Sequence, residues 1–447
     1  MTDVFRIEDA VATETAGVTR EAPAQVAGTD RPVHSGPAPC TKARRPSRAI
    51  TVVGGGQAGL MLAVGLRREG HSVRLVQDRS ADAIAHGRVL SSQCMFGQAL
   101  NHERALGMDQ WAEACPEINS VRIESCAPPG MSLPGVDFTG RLRAPAQSVD
   151  QRLKFPVWLD QFQRLGGTLD ILHADVDDLD AYAKDSELVV VATGKGALGS
   201  LFEVDRKNSP FSRPMRTLAM VYLRGGAAPE RQGCIHSTAL PGAGGLMRFP
   251  ALTLDGACEI LFFEAFPDGP LDVVAPGLGA HEQWAAMHSA LARLLPAEAE
   301  RLATARPTDA LANLAGKITP TVRHAVGVLP SGRTVLGLGD AVVLNDPLVG
   351  QGANNAAKVA ATCLAAIRER GNLPFDSAWM QDVASAMWRC VRPGTLWTQL
   401  SLLPTKPPVL ELLHRACTDL ALADRFAQGF DQPETLLPLL LGKELVE

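Results

Sequence analysis

The sequence predicts an α/β fold: a parallel sheet wrapped by helices, interrupted by an inserted, mainly antiparallel sheet and followed by C-terminal helices. Three observations predict it. A β-α-β unit with a glycine-rich turn occupies residues 49–80. A second strand-turn-helix, residues 334–361, carries a Gly-Asp pair and opens its helix on Gly350-Gln351-Gly352. Between them lie short apolar runs punctuated by glycine and proline.

In the first unit, Ile50 to Val53 is a continuous apolar run, as a strand buried on both faces requires. Gly54, Gly56 and Gly59 form G-x-G-x-x-G at its end. Leu60, Leu62, Ala63 and Leu66 give the following helix an apolar face, and Gly70 ends it. Val73, Leu75 and Val76 make the next strand, which ends on Gln77-Asp78. Strand, glycines, helix and acid at this spacing mark a dinucleotide site. The glycines permit a tight turn and close approach of a pyrophosphate, and Asp78 or its rival Gln77 would hold the adenosine ribose.

The glycine triplet does not separate FAD from NAD, but the later Gly339-Asp340 pair favours FAD, which reaches from the first βα turn to a distant strand. Asp340 would hold ribityl hydroxyls. Pro347 fixes the approach to the helix, whose first N–H groups, near Gly352 and Ala353, would face the anionic edge of a reduced flavin. Residues 187–199, ELVVVATGKGALG, add another buried parallel strand and a glycine-rich turn.

Domain boundaries follow. Residues 1–48 lack apolar period and read as a disordered tail without a secretory core; Arg44-Arg45 is followed by a strand, not by a signal sequence. A discontinuous FAD-binding domain covers 49–88, 145–205 and 321–375. A substrate domain covers 89–144 and 206–320, and C-terminal helices fill 376–447. Arg88 to Ser92 reads as a strand entering the substrate domain, with Arg88 either reaching the FAD diphosphate or solvated. On that strand Ser91, Gln93 and Met95 would share one face and border the flavin. Helices are expected over 151–165, 278–303, 375–403 and 409–430, with a kink at Pro393-Gly394. Strands are expected over 215–223, 245–254 and 258–266. Arg152 would touch the cofactor or pair with Asp150. His236 reads as structural or exposed, Trp397 and Leu400 as core or as closing one end of the pocket, and Arg323 as facing either the dinucleotide or solvent.

Composition excludes several classes. A net charge of −5 disfavours nucleic acid, and no apolar run is long enough for a membrane span. Nine cysteines form no CxxC pair or zinc spacing, which points to buried thiols in a reducing, cytoplasmic setting and to no metal site. No Ser-His-Asp triad or carboxylate pair stands out.

The chain resembles the styrene monooxygenase/indole monooxygenase family, FAD-dependent epoxidase components with a p-hydroxybenzoate hydroxylase-like fold. The resemblance rests on GGGQAG from Gly54 (including Gln57 and Ala58), QDR at Gln77 to Arg79, APAQSVDQRL from Ala144, and VVVATGKGALG from Val189 with Thr193 and Gly194. It extends to NSPFSRP from Asn208, GLGDAVVLNDPLVGQGAN from Gly337 through Asn354, and LADRFAQGF from Leu422. It implies a Rossmann-type FAD-binding domain and cofactor contacts from the residues of these motifs. It also implies a separate NADH-dependent flavin reductase that supplies reduced FAD, and transfer of one oxygen atom from O2 through a flavin C4a-hydroperoxide to an alkene or aromatic. A homodimer is implied as well. The pocket half departs from the family: Ser91 stands where the family has Asn, Met95 where it has His, and residues from Val121 lack its tyrosines. The substrate expected is therefore small and hydrophobic or heteroaromatic, not necessarily styrene. The alternatives are a self-sufficient NAD(P)H-dependent hydroxylase of the same fold and a flavin-binding protein without catalysis. A halogenase is disfavoured because its W-x-W-x-I-P signature is absent.

Overall fold

A computed structural model describes residues 47–91, 93–126, 135–194 and 196–442. The tail expectation for residues 1–46, and the readings that include Ser92 and Lys195, lie outside the described residues. At Arg48 the chain is already fixed: its guanidinium pairs with Glu187 at 2.6 Å and lies 4.0 Å from the ring centroid of Phe375.

The first sheet is six-stranded. It contains β1 (Ala49–Val53), β2 (Ser72–Gln77), β6 (Thr168–Ile171), β7 (Leu188–Val191), β15 (Val326–Val328) and β16 (Thr334–Gly337) in the order β15-β16-β7-β1-β2-β6. All its pairings are parallel except β15 with β16. The apolar runs noted in the sequence lie here because helices cover the sheet. Leu60, Leu62 and Leu66 of the helix Gln57–Arg68 are fully buried, in one core with Ala357, Ala360 and Cys363 of the helix Gln351–Arg370. Each such leucine contributes roughly 1.5–3 kcal/mol by leaving water.

The second sheet follows the order β12-β8-β11-β10-β9-β4-β5-β3, with β13 (Asn313–Lys317) also on β8. Its central strands are β8 (Thr217–Arg224), β9 (Cys234–Leu240), β10 (Gly244–Thr253) and β11 (Gly256–Ala265), all antiparallel neighbours. The flanks are β3 (Cys94–Met95), β4 (Ile118–Ser125), β5 (Asp137–Ser148) and β12 (Arg306–Pro307). A small pair, β14 (Thr321–Val322) with β17 (Val343–Leu344), joins the returning chain to the second turn. Alternation divides the faces of the second sheet. Val221 and Phe263 pack towards Trp284, Met287 and Leu291 of the helix Ala280–Leu294, while Met220, Met247 and Phe262 face the other way, into a cavity.

Several expected elements differ. The helix over 278–303 is two, because Pro296 cannot continue the first; the second is Pro296–Arg301. The helix over 409–430 is likewise divided, into Pro407–Ala416 and Leu420–Asp431. The helix Ser377–Ser401 contains Pro393 and is capped by the Asp376 carboxylate on the Trp379 N–H. Residues 88–91 are not a strand. Arg88 is tied to Asn313 and the Val89 N–H to the Leu311 carbonyl, so pairing begins only at Cys94. Among the described residues, no helix is long and apolar enough to cross a membrane.

Candidate active site

The two glycine turns open into one cavity of about 640 Å³. At the first, Gly54 has φ +116°, and a Cβ there would lie 2.4 Å from the Ala192 backbone. Gly59 does not line the cavity; a Cβ on it would lie 1.9 Å from the Gly54 carbonyl oxygen, so it lets helix and strand close up. Gly56 is different. No atom lies within 4 Å of its added Cβ, and the open space is the cavity. Gln57 and Ala58 continue the wall. At the end of β2, Gln77 is buried and donates to the Arg79 carbonyl at 2.5 Å, while Asp78 and Arg79 are exposed at the rim. All three line the cavity.

The second turn faces the first. After β16 come Gly339 (φ +63°), Asp340, Pro347 and Gly350 (φ +63°), then the helix from Gln351, and Gly352 and Ala353 line the cavity. Gly352 repeats the signature of Gly56, with nothing within 4 Å of an added Cβ. Thr193 and Gly194, after β7, complete the cradle. Among the described residues, three buried polar atoms on this wall lack hydrogen-bond partners: Thr193 Oγ1, Asn345 Nδ2 and Gln93 Oε1. Orphaned polar atoms are costly unless a ligand pairs with them. Glycines open to the cavity, a helix start and orphaned donors and acceptors together fit a dinucleotide such as FAD.

Besides Gly59, two proposed cofactor contacts are corrected. Arg88 does not line the cavity, because its guanidinium is held by Asn313 Oδ1. Asn354 does not line it either. Its amide accepts from the Phe96 N–H at 2.9 Å and donates to the carbonyls of Cys94 at 2.9 Å and Gly350 at 2.8 Å, joining β3 to the helix start. Arg152 belongs to a buried ion network with Asp150 and Asp309. Arg323 lines a neighbouring cavity of about 160 Å³ and not the large one.

The grouping of Ser91, Gln93 and Met95 also fails as a set. Ser91 and Gln93 line the cavity, but Met95 is buried in the core beneath the parallel sheet. Gln93 has φ +25°, so the chain turns there and strand alternation does not carry across it. Cys94 and Phe96 line the cavity instead. The loop is held by Tyr222, whose hydroxyl donates to the Ser91 carbonyl at 2.9 Å. The far wall is apolar: Leu218 and Met220 of β8, Met247 and Phe249 of β10, Phe262 of β11 and Phe430. The sequence reading missed these, although alternation along β8, β10 and β11 was visible. Trp397 packs edge-on against Phe430 at 4.8 Å and supports that wall, and Leu400 sits in a separate small cluster with Leu396 and Leu437.

His236 is buried outside the cavity, with Arg248 Nη2 3.1 Å from its Nδ1. Burial, then the Arg248 charge, lowers its pKa to about 4. The folded value lies below the ordinary 6.5, so above that pH neither state is protonated and no stability changes with pH. Between 6.5 and 4 the unfolded chain takes up a proton that the folded one refuses, and stability falls as pH falls. Denaturant unfolding at pH 7 and pH 5 is expected to show a smaller loss on acidification for His236→Gln than for wild type; equal losses would remove His236 from the account.

Residues 194–301 match the family model described as "Styrene monooxygenase A putative substrate binding domain". Over 397 residues the chain is 30% identical to "Styrene monooxygenase StyA" of Pseudomonas fluorescens, covering 87% of this chain and 94% of that protein. Two solved structures share the fold. The flavin-dependent brominase Bmp2 superposes with a TM-score of 0.57 at 13% identity, over 89% of this chain and 98% of its own. A flavoprotein/dehydrogenase from Cytophaga hutchinsonii gives 0.58 at 14% identity, over 89% and 100%.

Proposed function

This chain belongs to the styrene monooxygenase family and is an FAD-dependent monooxygenase, and from that premise we propose that it takes reduced FAD from a separate NADH-dependent flavin reductase and adds one oxygen atom of O2 to a small hydrophobic or heteroaromatic, styrene- or indole-like compound. The observation that carries the proposal is that the glycine cradle and the apolar wall of Met220, Met247, Phe249 and Phe262 belong to one cavity.

When bound, reduced FAD supplies the activation of dioxygen, which side chains alone cannot perform. The chain's own residues do the rest. Backbone N–H groups at Gly55 to Ala58 bind the pyrophosphate, since the Gly54 N–H is held by the Val76 carbonyl, with Asp78 and Gln77 on the adenosine ribose and Arg79 at the rim. Asp340 holds ribityl hydroxyls, with Gly339 bringing the backbone close. Pro347 and Gly350 aim the helix start, so that the N–H groups near Gly352 and Ala353 face negative charge. Thr193 and Gly194 close the cradle between the two turns. The apolar wall holds an apolar substrate and excludes water, which would otherwise waste the activated oxygen. Ser91 and Gln93 are the polar groups at the boundary between the two halves.

The test supplies reduced FAD through an unrelated NADH-dependent reductase, under labelled dioxygen, and screens styrene, indole and thioether substrates. A product carrying one labelled oxygen atom is expected. Product formed only when NADPH is given directly, with no reductase present, would instead make the protein a self-sufficient hydroxylase.

A further inference from the structure

A buried polar chain runs from the core to the cavity wall. Lys154 Nζ donates to Glu103 Oε1 at 2.7 Å, and both side chains are 2% exposed. Gln57 Nε2 donates to the same Glu103 oxygen at 2.8 Å and lies 3.1 Å from Met61 Sδ. Gln93 Nε2 in turn donates to Gln57 Oε1. Gln93 Oε1 then has no partner among the described residues, and both Gln57 and Gln93 line the cavity.

The polarity of this chain is dictated from its buried end. An ammonium only donates and a carboxylate only accepts. Gln57 must therefore turn its NH2 to Glu103, which leaves its oxygen for Gln93. Gln93 must then spend its own NH2 on Gln57, which leaves its oxygen unspent. Gln93 alone cannot flip without setting its oxygen against Gln57 Oε1, and the two amides cannot flip together without breaking the bond to the buried Glu103 carboxylate, a costly loss at low dielectric. Gln93 holds this position with φ +25°, a conformation that an L-residue adopts only when its surroundings insist.

We propose that the Lys154–Glu103 ion pair, acting through Gln57, fixes the side-chain oxygen of Gln93 as a free acceptor at the cofactor cavity, and that this acceptor favours reduced over oxidised FAD. The reduced isoalloxazine ring carries an N–H that the oxidised ring lacks, so an acceptor that cannot turn into a donor distinguishes the two. Gln93 is the group that touches the cofactor; Gln57, Glu103 and Lys154 are positioning residues. The proposal rests on FAD occupying this cavity.

The test is the dissociation constant of FAD in each redox state, measured anaerobically without substrate. Gln93→Leu is expected to weaken reduced FAD roughly tenfold, the worth of one hydrogen bond, and to leave oxidised FAD within about twofold. The exchanged pair Glu103→Lys/Lys154→Glu reverses the polarity of the chain and is expected to lower the preference for reduced FAD although Gln93 is intact. Should the exchanged pair not fold, Gln57→Met breaks the chain one link nearer the cavity and is expected to do the same. Equal weakening of both redox states, or no change in either, would overturn the proposal. Wild-type protein that binds neither state would instead remove the FAD assignment beneath it.

Discussion

Gly352→Val is expected to weaken FAD binding on the order of a hundredfold while leaving the protein folded. Gly352 sits in the first turn of the helix Gln351–Arg370, and its added Cβ meets no atom within 4 Å. The branched side chain would therefore occupy the cavity without clashing with the fold. Forcing methyl groups into space that a ligand fills costs about 1–3 kcal/mol or more, so affinity should fall on the order of a hundredfold. The thermal midpoint should stay within a few degrees of wild type, because valine replaces glycine in a helix and loses no packing. Gly56→Val is the matching change at the other turn, with the same open surroundings. If both variants bind FAD normally, the ligand does not lie between the two turns. Gly54 cannot serve this purpose: with φ +116° and the Ala192 backbone at 2.4 Å, a side chain there damages the fold itself.

The largest loss of stability is expected from Arg152→Met. Arg152 is 2% exposed and bonds Asp150 Oδ2 through Nε at 3.0 Å and Nη2 at 2.8 Å. It also reaches both oxygens of Asp309, at 3.0 and 2.9 Å. Asp150 is fully buried, accepts from Thr253 Oγ1 at 2.8 Å and caps the helix Gln151–Arg164 through the Arg152 N–H. One guanidinium thus ties a helix start to β10 and to the loop before β13. Methionine keeps much of the volume but strands a buried carboxylate, and removal of one partner from a buried pair costs about 3–5 kcal/mol. Urea unfolding should show a free-energy loss of that size, as a lowered midpoint with an unchanged slope. A loss below about 1 kcal/mol would mean that water already compensates Asp150.

The parts of this architecture that were legible in the sequence are those encoded by neighbours. The run Ile50–Val53, the glycines that follow it and Asp78 lie within one β-α-β unit, where spacing alone states the geometry. Gly339, Asp340 and Gly350–Ala353 were legible for the same reason. The pocket half was less so. Local alternation put Met95 at the flavin, but the left-handed Gln93 breaks the alternation, and no residue-type rule marks a glutamine for that conformation. Arg88 was ambiguous because its partner, Asn313, lies 225 residues away. The chain from Lys154 to Gln93 was invisible since its four members come from separate elements and meet only in the fold. Pro296, by contrast, is a helix breaker visible in the sequence, and apolar periodicity continues across it although the helix does not.

The central claim is that one FAD bridges the two glycine turns. A crystal structure of the protein grown with FAD measures it directly. The account predicts the pyrophosphate at Gly55–Ala58, the ribityl chain beside Asp340 and the isoalloxazine ring next to Gly350–Ala353. Density for the dinucleotide elsewhere, or a cavity between these turns that stays empty at saturating FAD, would contradict it.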